Sequence, residues 1–186
     1  MLVCVYSFAL HSRTHYDDLD WMLGNTAAHV SEELAAAASP AERAAVLRAA
    51  ATLGPRVRMY PWAGKVATSH PDLPAPVLLD PREVLRGRSQ PAYGFLGWLV
   101  RPVHPHALHP GVFTTLRAHG ERWRVYVLPI GERADTLAVI APIGALDASV
   151  AAFGRVMLAM AVLGSGAAFL VGWVVTGRAT RPVAVL

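Results

Sequence analysis

Apolar and polar positions along the chain change period several times, and each change marks an element. Residues 14–38 carry Leu19, Met22, Thr26, Val30, Leu34 and Ala37 at three- and four-residue steps, which makes one stripe of an α-helix. Asp17, Asp18 and Asp20 crowd its beginning. A second helix is predicted to start sharply. Ser39 offers a cap, Pro40 suits the first helical position, and Glu42 completes a capping box. It runs to Leu53 and stops at Gly54-Pro55. From Arg56 the period falls to two. Segments 56–62, 112–118, 122–130 and 136–143 read as strands. A turn at Ala63-Gly64 leads into KVATS, and His119-Gly120 and residues 131–135 form hairpin loops joining the last three strands. Residues 71–110 are proline-rich and aperiodic, with a short helix expected near 81–85 and a strand near 93–100.

From Gly144 the segment ALDASVAAFGR predicts an amphipathic helix that runs into residues 156–176, VMLAMAVLGSGAAFLVGWVVT. That run holds no charge and no proline, and Arg155 and Arg178 flank it. A helix of this length rises roughly 31 Å, the thickness of a bilayer's hydrocarbon core. A buried core helix would need a larger soluble domain than the other residues build. Trp173 sits near one end, where an interfacial aromatic belongs. Residues 1–10, MLVCVYSFAL, are uncharged but cover only about half a bilayer. They lack the basic start and the cleavage site of a signal peptide. They are expected to be the outer half of a first membrane helix, with Met1 an internal start or a truncation point. Arg178 and Arg181 follow the second span, so the C-terminus is expected in the cytoplasm and the long segment between the spans outside.

Composition supports a span: 54% of residues are hydrophobic and 16% charged, and mean hydropathy is +0.36. The net charge of +4 comes almost wholly from arginine, because Lys65 is the sole lysine. The basic residues are scattered, without the aromatic interleaving of a nucleic-acid interface, so no nucleic-acid partner is expected. Cys4 is the sole cysteine, which excludes an intrachain disulfide and a cysteine-ligated zinc site.

Few constellations carry chemistry. The tract RPVHPHALHPG gathers His104, His106 and His109, with His119 further on. Histidines in a short tract can bind zinc, copper or nickel, or titrate near neutral pH. No carboxylate or thiolate lies beside these, so tight metal binding is not expected. Arg122, Trp123, Arg124 and Tyr126 offer a cationic, aromatic surface to an anion. Ordinary strand alternation instead puts Trp123 and Val125 on one face and Arg124 and Tyr126 on the other, and this is the expectation. Gly164, Ala168 and Gly172 recur every four residues in the span, a spacing that lets a second helix approach and suits a homodimer. Asp72, Asp80, Glu83, Glu121, Glu132 and Asp135 are isolated, and no catalytic set is visible.

The order of these parts resembles a known family. A first span and outer helix lead to a strand and a VATSHPDLP segment. A TLRAHGERWRVYVLPI hairpin, an LAVIAPIGALDASVAAF transition and a second span follow. This is similar to the extracytoplasmic, PAS-like sensor domains of bacterial two-component histidine kinases. GRATRPVAVL resembles the opening of a HAMP linker, with Pro182 and Leu186 at the family's proline and leucine positions. The resemblance implies an α+β membrane protein with a PAS-like antiparallel sheet and long helices continuous with membrane helices. The implied divisions are 1–13, truncated first membrane helix; 14–154, sensor domain; 155–177, second membrane helix; 178–186, start of HAMP. Gly164, Ala168, Gly172 and Pro182 would serve signal transmission. The implied partners are a second copy, the lipid bilayer, an extracytoplasmic stimulus and a response regulator. The sequence contains nothing like the phosphoacceptor helix or the ATP-binding boxes, so no cofactor is expected here; ATP and Mg²⁺ belong to the kinase domain. The alternatives are another HAMP-linked receptor, such as a chemotaxis transducer or a diguanylate cyclase, and a membrane-anchored accessory binding protein.

Overall fold

A computed structural model describes residues 2–61, 66–69, 80–87, 110–118, 120–130 and 135–179. The first element, α1 (Leu2–Ala36), is a single helix of 35 residues. It contains no proline and one glycine, Gly24, so nothing in its sequence breaks it. At 1.5 Å per residue it is a rod about 52 Å long. Its buried stripe is Tyr16, Asp20, Leu23, Ala27, Val30 and Leu34. That is one residue on from the Met22 and Thr26 of the sequence pattern, and Met22 is 37% exposed. Val30 and Leu34 belong to both stripes, which diverge towards the start of the helix. The pattern favoured the one without a carboxylate, whereas the fold accommodates Asp20 by pairing it with an arginine.

Helix α2 (Pro40–Ala50) begins as its capping box requires. Ser39 Oγ accepts from the Glu42 N–H at 3.2 Å, while Glu42 Oε2 accepts from the N–H groups of Ala38 at 2.7 Å and Ser39 at 3.3 Å. These backbone donors hold the Glu42 carboxyl below the usual carboxylate range. The helix tightens into a 3-10 turn at Ala51–Leu53, and Gly54, at φ +91°, ends it in a conformation that favours glycine.

Strands β1 (Arg56–Tyr60), β2 (Ala67–Thr68), β3 (Val112–Ala118), β4 (Glu121–Ile130) and β5 (Asp135–Pro142) make one antiparallel sheet of order β2-β1-β5-β4-β3. β3 has the predicted bounds, and β4 begins and β5 lies one residue earlier than predicted. The short helix α3 (Pro81–Arg86) is capped by Asp80, whose Oδ1 accepts from the Arg82 N–H at 2.9 Å. The predicted turn at 63–64, the strand at 93–100, His119 and the loop at 131–134 lie outside the described residues.

Both faces of the sheet are covered, which is why Trp123 to Leu128 of β4 are buried without a polar alternation. On one face Val57, Phe113, Tyr126, Leu128, Leu137 and Val139 pack against Leu23, Ala27, Val30 and Leu34 of α1 and Leu47 and Ala50 of α2. On the other, Trp123, Val125, Val127, Ala138 and Ile140 form a second cluster with Val84 and Leu85 of α3.

A single residue, Ile143, separates β5 from α4 (Gly144–Ala179), a helix of 36 residues. Among the described residues α4 is the one helix long and apolar enough to cross a bilayer. Its apolar side chains are exposed all round: Leu163 is 72%, Phe169 70% and Trp173 71% exposed. A core helix of a soluble protein buries such residues; α4 leaves them exposed, which is compatible with membrane association.

Candidate signal-transmission site

Three elements converge where the sheet hands over to α4. Asp147 lies in the first turn of α4. One of its oxygens accepts the hydroxyl hydrogen of Tyr16 from α1, and the other accepts from Arg122 Nη1 of β4 at 2.9 Å. Burial, and then the adjoining carboxylate, push the Tyr16 hydroxyl up to about 12. Beneath this clasp, Ile143 is fully buried and bonded on both sides. Its N–H donates to the Arg122 carbonyl at 2.9 Å, and its carbonyl accepts from the Asp147 N–H at 2.8 Å. The last residue of the sheet path is thus fixed to β4 and also closes the first turn of α4. Tyr16, Ile143 and Val150 share a small apolar cluster around it.

One turn further along α1, Asp20 meets Arg124. The guanidinium binds the carboxylate through two parallel hydrogen bonds, Nε to Oδ1 at 2.7 Å and Nη2 to Oδ2 at 2.6 Å. Its third arm, Nη1, donates to Thr115 Oγ1 at 3.0 Å, and Thr115 is the residue opposite Arg124 in the β3–β4 ladder. Arg124 also lies over the Phe113 ring, 5.2 Å from its centroid. The pair is almost wholly buried, at 1% and 3% side-chain exposure. Such a pair survives only because its geometry satisfies both ions. A second buried pair, Arg13–Asp17 at 3.4 Å, lies within α1 itself.

Away from the sheet α1 and α4 run side by side. His11 stacks on Phe153 with ring centroids 4.1 Å apart. Gly154 lets Phe8 approach so closely that a Cβ on Gly154 would lie 2.9 Å from the ring. Beyond this contact the helices leave an apolar groove of about 260 Å³ that reaches Cys4 and Ala161.

Of the residues singled out from the sequence, Arg122, Trp123, Arg124 and Tyr126 are brought together on β4 but divided between its faces, as strand alternation requires. Gly164, Ala168 and Gly172 lie on exposed turns of α4, and a Cβ at either glycine would meet nothing within 4 Å. His104, His106, His109 and Pro182 lie outside the described residues. Asp20, Tyr16 and Asp147 were not singled out as partners. The available signal was an acid on an apolar helix stripe, since a buried carboxylate needs a cation. No family model matches the chain, and no curated protein and no solved structure is similar to it.

Proposed function

We propose that this chain is the sensing and signal-transmission part of a membrane-bound two-component histidine kinase. In this reading its outer domain is PAS-like, residues 178–186 open a HAMP linker, and the ATP- and Mg²⁺-dependent core that addresses a response regulator is carried by other residues of the same receptor. The observation that carries the reading is the junction at Ile143. A strand held in the centre of the sheet becomes, within one residue, a helix long and apolar enough to cross a bilayer. A shift of the sheet is then a shift of the helix, with no flexible linker to absorb it. Three further features support it: the antiparallel sheet in which the first and last strands are neighbours, the long helix α1 that runs from that sheet alongside α4, and the clasp at Asp147. The small-residue spacing of Gly164, Ala168 and Gly172 suits a homodimer in the membrane.

Alkaline phosphatase fusions test the topology. A fusion after Leu128 is expected to be active and one after Leu186 inactive; the reverse pattern overturns the reading. The output is tested by the reading frame beyond codon 186. A histidine-bearing dimerisation helix and an ATP-binding domain are expected. A methyl-accepting coiled coil or a cyclase would keep the sensor and replace its output. A stop codon there would favour an accessory protein.

A further inference from the structure

The face of the sheet turned away from α1 contains a buried donor without a partner and, beside it, an arginine with no carboxylate partner among the described residues. Trp123 is 4% exposed, and its indole N–H is sealed from solvent without a hydrogen-bond partner. Indole can only donate, so no rearrangement of its own makes it an acceptor. Arg56 of β1 lies over the same ring, with its guanidinium carbon 5.0 Å from the ring centroid. Arg56 is a partly buried residue, and among the described residues no carboxylate is within ion-pair distance of it. The two arginines that flank Trp123 on β4 differ. Arg122 is held by Asp147, and Arg124 by Asp20. Tyr60, whose hydroxyl is also buried without a partner, sits at the far end of this face, opposite Thr136.

We propose that Arg56 and Trp123 form an oxyanion site, and that the ligand of the outer domain is a small carboxylate or phosphate held at the edge of the indole ring by its N–H and by the guanidinium stacked over it. The chemistry follows from what the two side chains offer. Both are donor-only, the guanidinium supplies a full positive charge, and a carboxylate or phosphate oxygen accepts from both at once. The ring of Trp123 already positions the guanidinium, so the ligand does not have to order it. An unsatisfied buried N–H carries its whole desolvation penalty, and a ligand oxygen removes it.

The position of the site links it to the transmission site. Trp123 lies between Arg122 and Arg124 in the chain, so its two neighbours project to the opposite face and hold Asp147 and Asp20. In the β4–β5 ladder its partner is Pro142, the last residue before Ile143 and α4. A ligand that moves Trp123 therefore acts on both arginine anchors and on the start of the membrane helix. This coupling rests on the sensor reading; the binding site itself does not.

The test uses the full chain in nanodiscs of zwitterionic lipid, titrated calorimetrically with sodium succinate in one arm and sodium phosphate in the other, at fixed ionic strength against sodium chloride. Saturable one-site binding is expected in at least one arm, and the arm identifies the oxyanion. Arg56→Gln is expected to weaken it at least tenfold. Trp123→Phe, which keeps a ring under the guanidinium and removes the N–H, is expected to weaken it about tenfold. Arg86→Gln, on the exposed side of α3, serves as the control and leaves it unchanged. Unchanged circular dichroism shows that each variant is folded. No saturable heat in either arm, or binding that survives both Arg56→Gln and Trp123→Phe, overturns the proposal. A ¹⁹F signal from fluorotyrosine at position 16 separates the two ideas. Binding with a shifted signal supports both, whereas binding without one keeps the site and sinks the sensor reading.

Discussion

Arg124 binds Asp20 through both carboxylate oxygens, at 2.7 and 2.6 Å, although 104 positions separate them in the chain. The pair ties the middle of β4 to α1 inside an otherwise apolar interface. Removing one member leaves the other charged, buried and alone. Asp20→Ala is therefore expected to cost about 3–5 kcal/mol in urea unfolding of the full chain followed by circular dichroism. The double variant Asp20→Leu with Arg124→Met removes both charges and is expected to lose far less. Equal losses in the two would show that packing, and not charge, is what the pair supplies.

Tyr16 makes stability depend on alkaline pH. Its hydroxyl loses its proton only at about 12, above the ordinary value of about 10, because burial and Asp147 disfavour the anion. The folded state thus keeps this proton after the unfolded state has lost it. The contribution is whole below pH about 10 and disappears as the pH rises towards about 12. It amounts to roughly 2–3 kcal/mol. Tyr16→Phe is expected to lessen the slope of the stability curve in that window, which the Tyr126 hydroxyl, also pushed up by burial, shares. A wild-type profile that is already flat between pH 10 and 12 would contradict this.

Gly154 sets how closely α1 and α4 approach. A methyl group there meets only the end of the Phe8 side chain, which can turn aside, so Gly154→Ala is expected to be mild. Gly154→Leu has no such escape and is expected to cost about 1–3 kcal/mol by overpacking. Thermal unfolding in detergent distinguishes the two, and Phe8→Ala in the Gly154→Leu background is expected to restore part of the loss.

At the head of α2, Ser39→Ala removes the oxygen that caps the Glu42 N–H and is expected to cost about 1 kcal/mol. The Glu42 carboxylate in the same box titrates below its ordinary value, so its contribution is present above the ordinary carboxylate pKa and is lost as the pH falls through the lowered one. Helix content of Ser39→Ala and wild type measured from pH 7 to pH 3 checks both statements.

Local chemistry made most elements readable. The Ser39-Pro40-Glu42 signature fixes a helix start through atoms three residues apart, and β3 and β4 are legible as runs rich in β-branched and aromatic residues around His119-Gly120. The 156–176 run is legible as one unbroken apolar helix because it holds no charge and no proline. The transmission site was not legible. Asp17, Asp18 and Asp20 look alike in sequence, as acids at the foot of a helix, yet Asp17 and Asp20 are buried and Asp18 is exposed. Only the fold brings Arg124 to Asp20 and Arg122 to Asp147, so their partners lie 104 and 25 positions away. Met22 and Thr26 of the expected α1 stripe were misplaced by one residue for the same reason, whereas Val30 and Leu34 lie in the core as expected. Hydrophobic periodicity weighs each position by its own side chain, and Asp20 becomes a core residue only through another strand.

Ile143 leaves no slack between strand and helix, and this gives the connection a phase. Each residue added after Gly144 would turn every side chain of α4 by about 100° relative to the sheet and carry it 1.5 Å along the axis. One or two extra residues would swing Phe153 and Gly154 away from His11 and Phe8, while seven would return them to within about 20° of their starting direction, one heptad higher. On the proposed sensor reading, signalling strength plotted against insertion length should accordingly oscillate with the turn of the helix, whereas a connection that merely tethers would let it decay smoothly.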